Sequence, residues 1–289
     1  MRRNLEELIG RIHAGATLAG DYIVDGTIAF DYEPAWVDAL FASPRILDED
    51  FKIFKYFDAG MGAILDVGAN WGYSASSIRA AGSDCPILSF EAAPALEPAL
   101  ARVKTLDAGR HDYVIRGVGE GPGEVDFLFP AISRRVVSAL ATASLAILDQ
   151  HMVRNLVYQF ETYMEDIGDY TCQFWRQPLR IDAIDNILAD RAYDIDVSRI
   201  AAIKLDVEGY EAKALAGARR AIERDRPLLL IESGDRDPGV AAFLAATGYL
   251  TVERLDWQVR LSSGVTAGLN GIFVHPDRLE QYRARGLLV

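Results

Sequence analysis

The chain has 289 residues, of which half are hydrophobic and a quarter are charged, and its formal net charge is −12. This length accommodates one large domain, or one domain with an appended lobe. An acidic protein repels phosphate backbones and anionic lipid head groups, which argues against a nucleic-acid partner or a membrane surface. Two cysteines without metal-ligand spacing, no leader-like segment and no apolar run of about 20 residues predict a soluble, cytoplasmic protein.

The first 60 residues show the apolar spacing of helices. Leu5, Leu8 and Ile12 recur on one helical face, and aromatic residues do the same between positions 36 and 57. We predict an N-terminal helical cap over residues 1–60 and a main domain over residues 61–289.

From Ala63 onward, short apolar strands alternate with helical segments. The predicted strands cover residues 63–67, 86–90, 113–115, 200–205, 228–231, 249–255 and 271–275. This alternation predicts an α/β fold with a doubly wound, mainly parallel, seven-stranded sheet. Residues 131–176 interrupt it and are rich in aromatic residues. We predict a helical insertion there, acting either as a lid over the substrate or as a subdomain with its own core.

A glycine-bearing turn joins the first strand of the main domain to its helix. Gly68 and Gly72 lack a Cβ, so the backbone can turn sharply and approach a ligand. The dinucleotide fingerprint Gly-x-Gly-x-x-Gly is not met, because Asn70 takes its middle position and Tyr73 the place of its third glycine. NAD is therefore disfavoured, and no Gly-Lys-Ser/Thr follows to make a P-loop. Asp66 instead suits a ligand that carries an ammonium and a sulfonium.

Glu91 stands at the end of the second predicted strand. The carboxyl ends of parallel strands line the ligand crevice of such sheets, and a carboxylate there can accept both hydroxyls of a ribose. A solvated loop acid is the alternative, and the neighbouring glycine turn favours the ligand-binding interpretation.

Two separated motifs resemble those of known methyltransferases. Residues 64–73, Ile-Leu-Asp-Val-Gly-Ala-Asn-Trp-Gly-Tyr, followed by Phe90-Glu91 and Pro94, resemble the first motifs of class I S-adenosylmethionine methyltransferases. Residues 203–211, Ile-Lys-Leu-Asp-Val-Glu-Gly-Tyr-Glu, resemble the signature of the FkbM family, and residues 179–185 resemble the segment that precedes it. The resemblance extends over residues 60–275, with the motifs in the family's order.

The resemblance implies a Rossmann-like fold with S-adenosyl-L-methionine as cofactor and S-adenosyl-L-homocysteine as product. Carried over by position, the cofactor would contact Asp66, Gly68, Asn70 and Gly72 with its methionine part, Glu91 with its ribose, and Gly117, Val118 and Gly119 with its adenine. Tyr73 and Ala92 are expected among the cofactor-binding residues as well. Members of the family usually have proline after the glutamate, whereas this chain has Ala92.

Two carboxylates follow the fourth predicted strand. Asp206 and Glu208 are two residues apart, which points both side chains the same way in an extended segment. Close carboxylates raise one another's pKa, which favours a base near neutral pH. We predict that Asp206 lies nearest the methyl group and also contacts the cofactor, with Glu208 as base or substrate clamp and Lys204 as their counter-ion. A divalent ion is an alternative occupant, although no metal is predicted. Glu211 is expected on the outer face of the next helix.

Two further residues complete the predicted catalytic set. Glu232 ends the fifth strand and is predicted to meet the substrate, with a structural hydrogen bond as the alternative. His151 lies in the insertion within reach of an acceptor, although a lone histidine in a helical segment is more often structural.

The sequence favours an O-methyltransferase that acts on a hydroxyl of a sugar, glycan or secondary metabolite, as in natural product biosynthesis. An N- or peptide-side-chain methyltransferase on the same fold is one alternative. A non-catalytic cofactor-binding module is another, and the carboxylates at 206, 208 and 232 argue against it. The expected partner is a small-molecule, glycan or natural-product acceptor; the oligomeric state is open, with a homodimer as one option.

Overall fold

The computed structural model describes residues 23–28, 33–132, 135–136, 172–190, 193–265 and 268–289. Contacts divide the chain into two compact units, a larger one of residues 32–123 and 180–289 and a smaller one of residues 1–31 and 124–179. This division differs from the predicted boundaries at 1–60 and 131–176. The reason is that helical residues between 34 and 56 pack against helices of the larger unit.

The described elements alternate along most of the larger unit. The strands are β1 (Ile23–Asp25), β2 (Ala63–Val67), β3 (Ile87–Glu91), β4 (His111–Ile115), β5 (Gly117–Val118), β6 (Gly123–Ile132), β7 (Arg135–Val136), β8 (Cys172–Asp182), β9 (Ile200–Leu205), β10 (Leu228–Glu232), β11 (Leu250–Leu255), β12 (Gln258–Leu261) and β13 (Asn270–Val274). The α-helices are α1 (Pro34–Ala42), α2 (Tyr73–Ala80), α3 (Glu97–Leu106), α4 (Ile184–Asp190), α5 (Glu211–Gly217), α6 (Arg219–Asp225), α7 (Pro238–Thr247) and α8 (Leu279–Ala284).

One sheet organises the larger unit. Its order is β12-β11-β13-β10-β9-β2-β3-β4. The pairs from β4 through β3, β2 and β9 to β10 are parallel, whereas β13 is antiparallel to both β10 and β11. The chain runs outward from β2 to β4 and then returns to β9, on the other side of β2. The strand order therefore reverses between β2 and β9, and a ligand crevice is expected at the carboxyl ends of these two strands.

The mainly parallel α/β sheet is confirmed, but it has eight strands where seven were predicted. The additional strand is β12, which pairs antiparallel with β11. The two-residue turn between them contains Asp256 at a φ of 55°. Tight hairpin turns usually carry Asn-Gly or Asp-Gly, and the sequence Asp-Trp gave no such signal.

Burial explains why the central strands form without alternating polarity. Every residue of β2 and β9 is buried, as expected for parallel strands covered on both faces. The apolar core around them includes Phe90, Ile222 and Phe273. Among the helices that the structure describes, none is long and apolar enough to cross a membrane.

The described part of the smaller unit is a sheet of order β1-β8-β6-β7. Strand β1 pairs parallel with β8, and β6 pairs antiparallel with β7. The predicted helical cap is therefore wrong at residues 23–25. Likewise, the described ends of the predicted helical insertion, at residues 131–132, 135–136 and 172–176, are strands. The rest of the insertion lies outside the described residues, and so does the predicted catalytic His151.

Candidate functional site

The glycine turn, residues 66–72, follows β2 with three residues in the positive-φ region that favours glycine. Gly68, Asn70 and Gly72 have positive φ angles of 78°, 49° and 87°. The N–H groups of Gly68 and Ala69 both donate to the carbonyl oxygen of Phe90, at 3.0 Å each. A Cβ on Gly68 would overlap the carbonyl oxygen of Asp206. The turn is thus held against the ends of β3 and β9, on either side of β2.

Helix α2 begins directly after the turn. A Cβ on Gly72 would stand 2.6 Å from the Cγ2 atom of Val103, so this glycine allows the turn to pack on α3. Tyr73, the first residue of α2, is 45% exposed, whereas Trp71 is buried. The Trp71 ring meets Trp36 of α1 edge-to-face, with ring centroids 5.9 Å apart. The predicted ligand contact Tyr73 therefore lies at the surface.

Glu91 fastens the turn from the neighbouring strand. Its Oε2 atom accepts the N–H of Asn70 and its Oε1 atom accepts the N–H of Ala93, both at 2.9 Å. Burial raises the pKa of Glu91 above its ordinary value, against the lowering effect of these N–H donors and of Lys204. A carboxylate oxygen can accept more than one hydrogen bond, so the Glu91 carboxylate keeps acceptor capacity for a ligand hydroxyl.

Asp66 lies beneath the turn and has no exposed surface. Its Oδ1 atom accepts the hydroxyl of Ser74 at 2.6 Å, and its Oδ2 atom accepts the hydroxyl of Ser89 at 3.0 Å. The Nζ atom of Lys204 is 3.6 Å from Oδ1. These protein groups occupy the Asp66 carboxylate, and its contact with the cofactor stays a prediction. The carboxylate supports the turn from below.

The buried polar chain continues to His111, which sequence reasoning left without a role. Its Nε2 atom is 3.0 Å from the Ser89 hydroxyl oxygen. Since that hydroxyl donates its proton to Asp66, Ser89 must accept from His111, which assigns the imidazole proton to Nε2. Burial lowers the pKa of His111 to about 4, so the ring is neutral at physiological pH. In the described part of the chain, Nδ1 has no hydrogen-bond partner.

The residues predicted beside adenine follow β4, next to the end of β3. A Cβ on Gly117 would lie 3.2 Å from the Cβ of Ala92, so the structure brings these two predicted contacts together. Val118 is buried, and the Gly119 N–H donates to the carbonyl oxygen of Asp182 at 2.9 Å. A Cβ on Gly217 would overlap the Gly119 carbonyl oxygen, so helix α5 packs closely behind this segment.

Three carboxylates, here called the carboxylate cluster, meet across the ends of β9 and β10. Asp206, Glu208 and Glu232 each offer an oxygen within 4.8 Å of the others. Burial, then repulsion by Asp206 and Glu211, raises the pKa of Glu208 to about 8. Burial and the Asp206 and Glu208 charges raise the pKa of Glu232 to about 9. Oxygens this close together can share protons or surround one divalent cation.

A hydrogen bond joins Asp206 to Glu232 within the carboxylate cluster. Two carboxyl groups can form such a bond when one proton is shared between them, which is consistent with the raised pKa of Glu232. Asp206 has 41% of its side chain exposed and lies 3.3 Å from the Lys204 ammonium. The cluster thus presents an ion-paired carboxylate beside two carboxyl groups that hold protons near neutral pH.

Glu211 holds the loop that carries Glu208. Its Oε1 atom accepts the N–H groups of Val207 and Gly209, both at 3.1 Å, and its side chain is buried. The predicted position of Glu211 on an outer helix face is therefore wrong. Glu208 has a φ of 51°, a conformation that non-glycine residues seldom adopt. A sequence signal did exist, because a glutamate in the first turn of a helix can reach back to the preceding N–H groups.

These features define an α/β protein with a glycine turn after β2 and a carboxylate cluster after β9 and β10, beside the β2–β9 switch point. Residues 66–251 match the family model of the methyltransferase FkbM domain. Since the match covers more than half of the chain, the protein belongs to the FkbM methyltransferase family, as the two sequence motifs predicted.

Two solved methyltransferase structures are similar to this chain. Methyltransferase FkbM from Methylobacillus flagellatus KT is 19% identical, with a TM-score of 0.42 over 76% of this chain and 44% of that chain. Precorrin-6y C5,15-methyltransferase from Geobacter metallireducens GS-15 is 10% identical, with a TM-score of 0.33 over 78% of this chain and 85% of that chain. The chain thus spans less than half the length of the Methylobacillus protein. No curated protein sequence matches it significantly.

Proposed function

We propose that the protein transfers a methyl group from S-adenosyl-L-methionine to a hydroxyl of a sugar, glycan or secondary metabolite. The observation that carries this proposal is the placement of the carboxylate cluster directly across the switch point from the glycine turn. Gly68, in the turn, and Asp206, in the cluster, are so close that a side chain on Gly68 has no room. Membership of the FkbM family supports the same reaction class.

The residues of the turn fit this cofactor. Asn70 and Gly72 hold the positive-φ backbone that leads into the amino end of α2, where N–H groups favour a ligand carboxylate. Glu91 supplies carboxylate oxygens of the kind that bind a ribose diol. Gly117 packs against Ile181 and Ala92 at the end of β3, and we assign this segment to the side of the adenine. When bound, S-adenosyl-L-methionine supplies an electrophilic methyl group on a sulfonium.

The carboxylate cluster fits the acceptor side. A hydroxyl must lose its proton as the new bond to carbon forms, and a positioned base contributes about 10²- to 10⁴-fold to such a step. Asp206 is exposed enough to meet the acceptor, and Glu208 and Glu232 have raised pKa values that suit proton exchange above neutral pH. We assign these three residues to orienting the acceptor hydroxyl and receiving its proton.

Titration calorimetry with S-adenosyl-L-homocysteine tests the cofactor half of the proposal. We expect wild-type protein to bind at micromolar concentration and Glu91→Gln to bind at least tenfold more weakly, which is about 1.4 kcal/mol. Glu280→Gln is the matched control, because Glu280 is a highly exposed glutamate on α8, and it should bind as the wild type does. Folded wild-type protein that does not bind the product would refute the proposal.

The acceptor half is tested with protein that binds the cofactor. A screen of sugars and hydroxylated natural products with radiolabelled methyl donor should yield a labelled product. Glu208→Gln should slow its formation by about 10²-fold or more while leaving product affinity within about threefold. If methyl transfer to amines is observed, and its rate is unchanged when Asp206 or Glu208 is replaced, the protein is an N-methyltransferase instead.

A further inference from the structure

Lys204 is a charged side chain buried among the apolar residues of β9, with 6% of its surface exposed. Its ammonium donates to the carbonyl oxygens of Gly68 at 2.8 Å and Val67 at 3.3 Å. It also forms ion pairs with Asp66 at 3.6 Å and Asp206 at 3.3 Å. An ammonium has three protons, so four acceptors saturate it. Lys204 therefore acts on protein groups and has no donor to spare for a substrate.

The charge of Lys204 is retained despite its burial. Burial alone favours the neutral amine, but the Asp206 and Asp66 carboxylates, with a smaller contribution from Glu232, outweigh it and raise the pKa of Lys204. Taking an ammonium out of water is strongly unfavourable unless partners replace the hydration. Here the partners lie on both sides of the switch point. Asp66 lies beneath the glycine turn, and Asp206 belongs to the carboxylate cluster.

The backbone makes the same connection between the turn and the cluster. The Asp206 N–H donates to the Val67 carbonyl oxygen at 3.2 Å, which extends the β2–β9 pairing up to the turn. The Asp206 carbonyl oxygen occupies the space that a Cβ on Gly68 would take. A movement of the turn must therefore displace either Asp206 or the lysine that contacts both.

We propose that Lys204 is a positioning residue that couples the glycine turn to Asp206, so that occupation of the turn and the placement of the Asp206 carboxylate are energetically linked. The biological use of this coupling rests on the proposed function. Through it, a bound cofactor would orient the Asp206 carboxylate, which meets the acceptor. Beside the backbone contact, the side-chain part of the link runs from the Gly68 carbonyl oxygen through Lys204 Nζ to Asp206 Oδ2.

A double-mutant cycle measured by calorimetry with S-adenosyl-L-homocysteine tests this coupling. The four proteins are wild type, Lys204→Met, Asp206→Asn and the double variant. We expect Asp206→Asn to weaken binding about tenfold in the wild type and by less than about twofold once Lys204 is replaced. A cycle of Asp206→Asn with Lys213→Met is the matched control, because Lys213 is an exposed lysine on α5, and its effects should be additive.

Two additions keep the test decisive. Lys204→Met leaves Asp66 buried without its counter-charge, so the cycle is repeated in an Asp66→Asn background, where this penalty is removed. Lys204→Arg keeps the charge and should retain most of the coupling, which a purely space-filling role would not predict.

The same cycle is also run by urea denaturation without ligand. Failure of wild-type protein to bind S-adenosyl-L-homocysteine would refute the proposed function. In that case, non-additive losses in the free energy of unfolding would still report the link between Lys204 and Asp206. Normal product binding with additive effects in both cycles would overturn the coupling and leave the cofactor assignment intact.

Discussion

Gly68→Ala tests the close approach of the glycine turn to Asp206. Gly68 has a φ of 78°, and a Cβ there would overlap the Asp206 carbonyl oxygen. Gly109 provides a matched control, since its φ is 77° and a Cβ there would meet nothing within 4 Å. The two substitutions share the backbone penalty and differ in the steric one.

The expected magnitudes follow from these two contributions. Alanine in the left-handed region costs about 1–2 kcal/mol, so Gly109→Ala should lower the free energy of unfolding by that amount. Forcing a methyl group into a packed site typically costs about 1–3 kcal/mol more. Gly68→Ala should therefore lower it by about 2–5 kcal/mol. It should also weaken S-adenosyl-L-homocysteine binding by about tenfold or more, because the turn must move away from β9.

Urea denaturation and titration calorimetry measure the two quantities on the same samples. Gly109→Ala should bind the product as the wild type does, because Gly109 precedes β4 at the opposite end of the sheet. Equal losses of stability in both variants, together with unchanged product affinity in Gly68→Ala, would refute the close approach on which the site is built.

Two further predictions concern the carboxylate cluster and its loop. The pKa values of Glu208 and Glu232 are raised from 4.5 to about 8 and about 9, so the folded state binds these protons more tightly than the unfolded chain does. The free energy of unfolding should therefore fall as the pH rises from 4.5 towards 9, and the rate of methyl transfer should rise as the base ionises. Urea denaturation measures the first quantity and initial rates at stepped pH measure the second. A free energy of unfolding that rises over this range would contradict the assignment. Glu211→Ala leaves the Val207 and Gly209 N–H groups without their acceptor, and it should lower the free energy of unfolding, measured by urea denaturation, by about 2–4 kcal/mol. Glu211→Gln keeps an acceptor oxygen, so its loss of stability should be less than half as large. Equal losses in the two Glu211 variants would show that its carboxylate does not hold the loop.

Sequence patterns predicted the features that depend on local residue order. The buried strand over residues 200–205 was predicted with the bounds that the structure has, because a continuous apolar run between polar segments is a local signal. Gly68 and Gly72 were assigned to a sharp turn for the same reason, and both have positive φ. The family motifs then placed Glu91 beside the turn, where it accepts the Asn70 N–H.

Features that depend on strand pairing could not be predicted in the same way. Two of the partners of Asp66 are Ser74, eight residues later, and Ser89, 23 residues later. Nothing in either segment reveals that β2 and β3 align so that these side chains meet. Glu211 was a different kind of error, because its partners are only two and four residues away. The helical spacing assigned it to a face, but its contact is made by reaching back over the helix start.

The polar chain from Asp66 through Ser89 to His111 has a consequence for folding specificity. A change of register between two apolar strands costs little free energy when one apolar side chain takes the place of another in the core. A slip between β2 and β3 would separate Asp66 from the Ser89 hydroxyl, one of its buried hydrogen-bond partners. A slip between β3 and β4 would separate the His111 imidazole from the same hydroxyl. The three polar residues therefore favour one register of β2, β3 and β4 over the other registers that their apolar residues would allow.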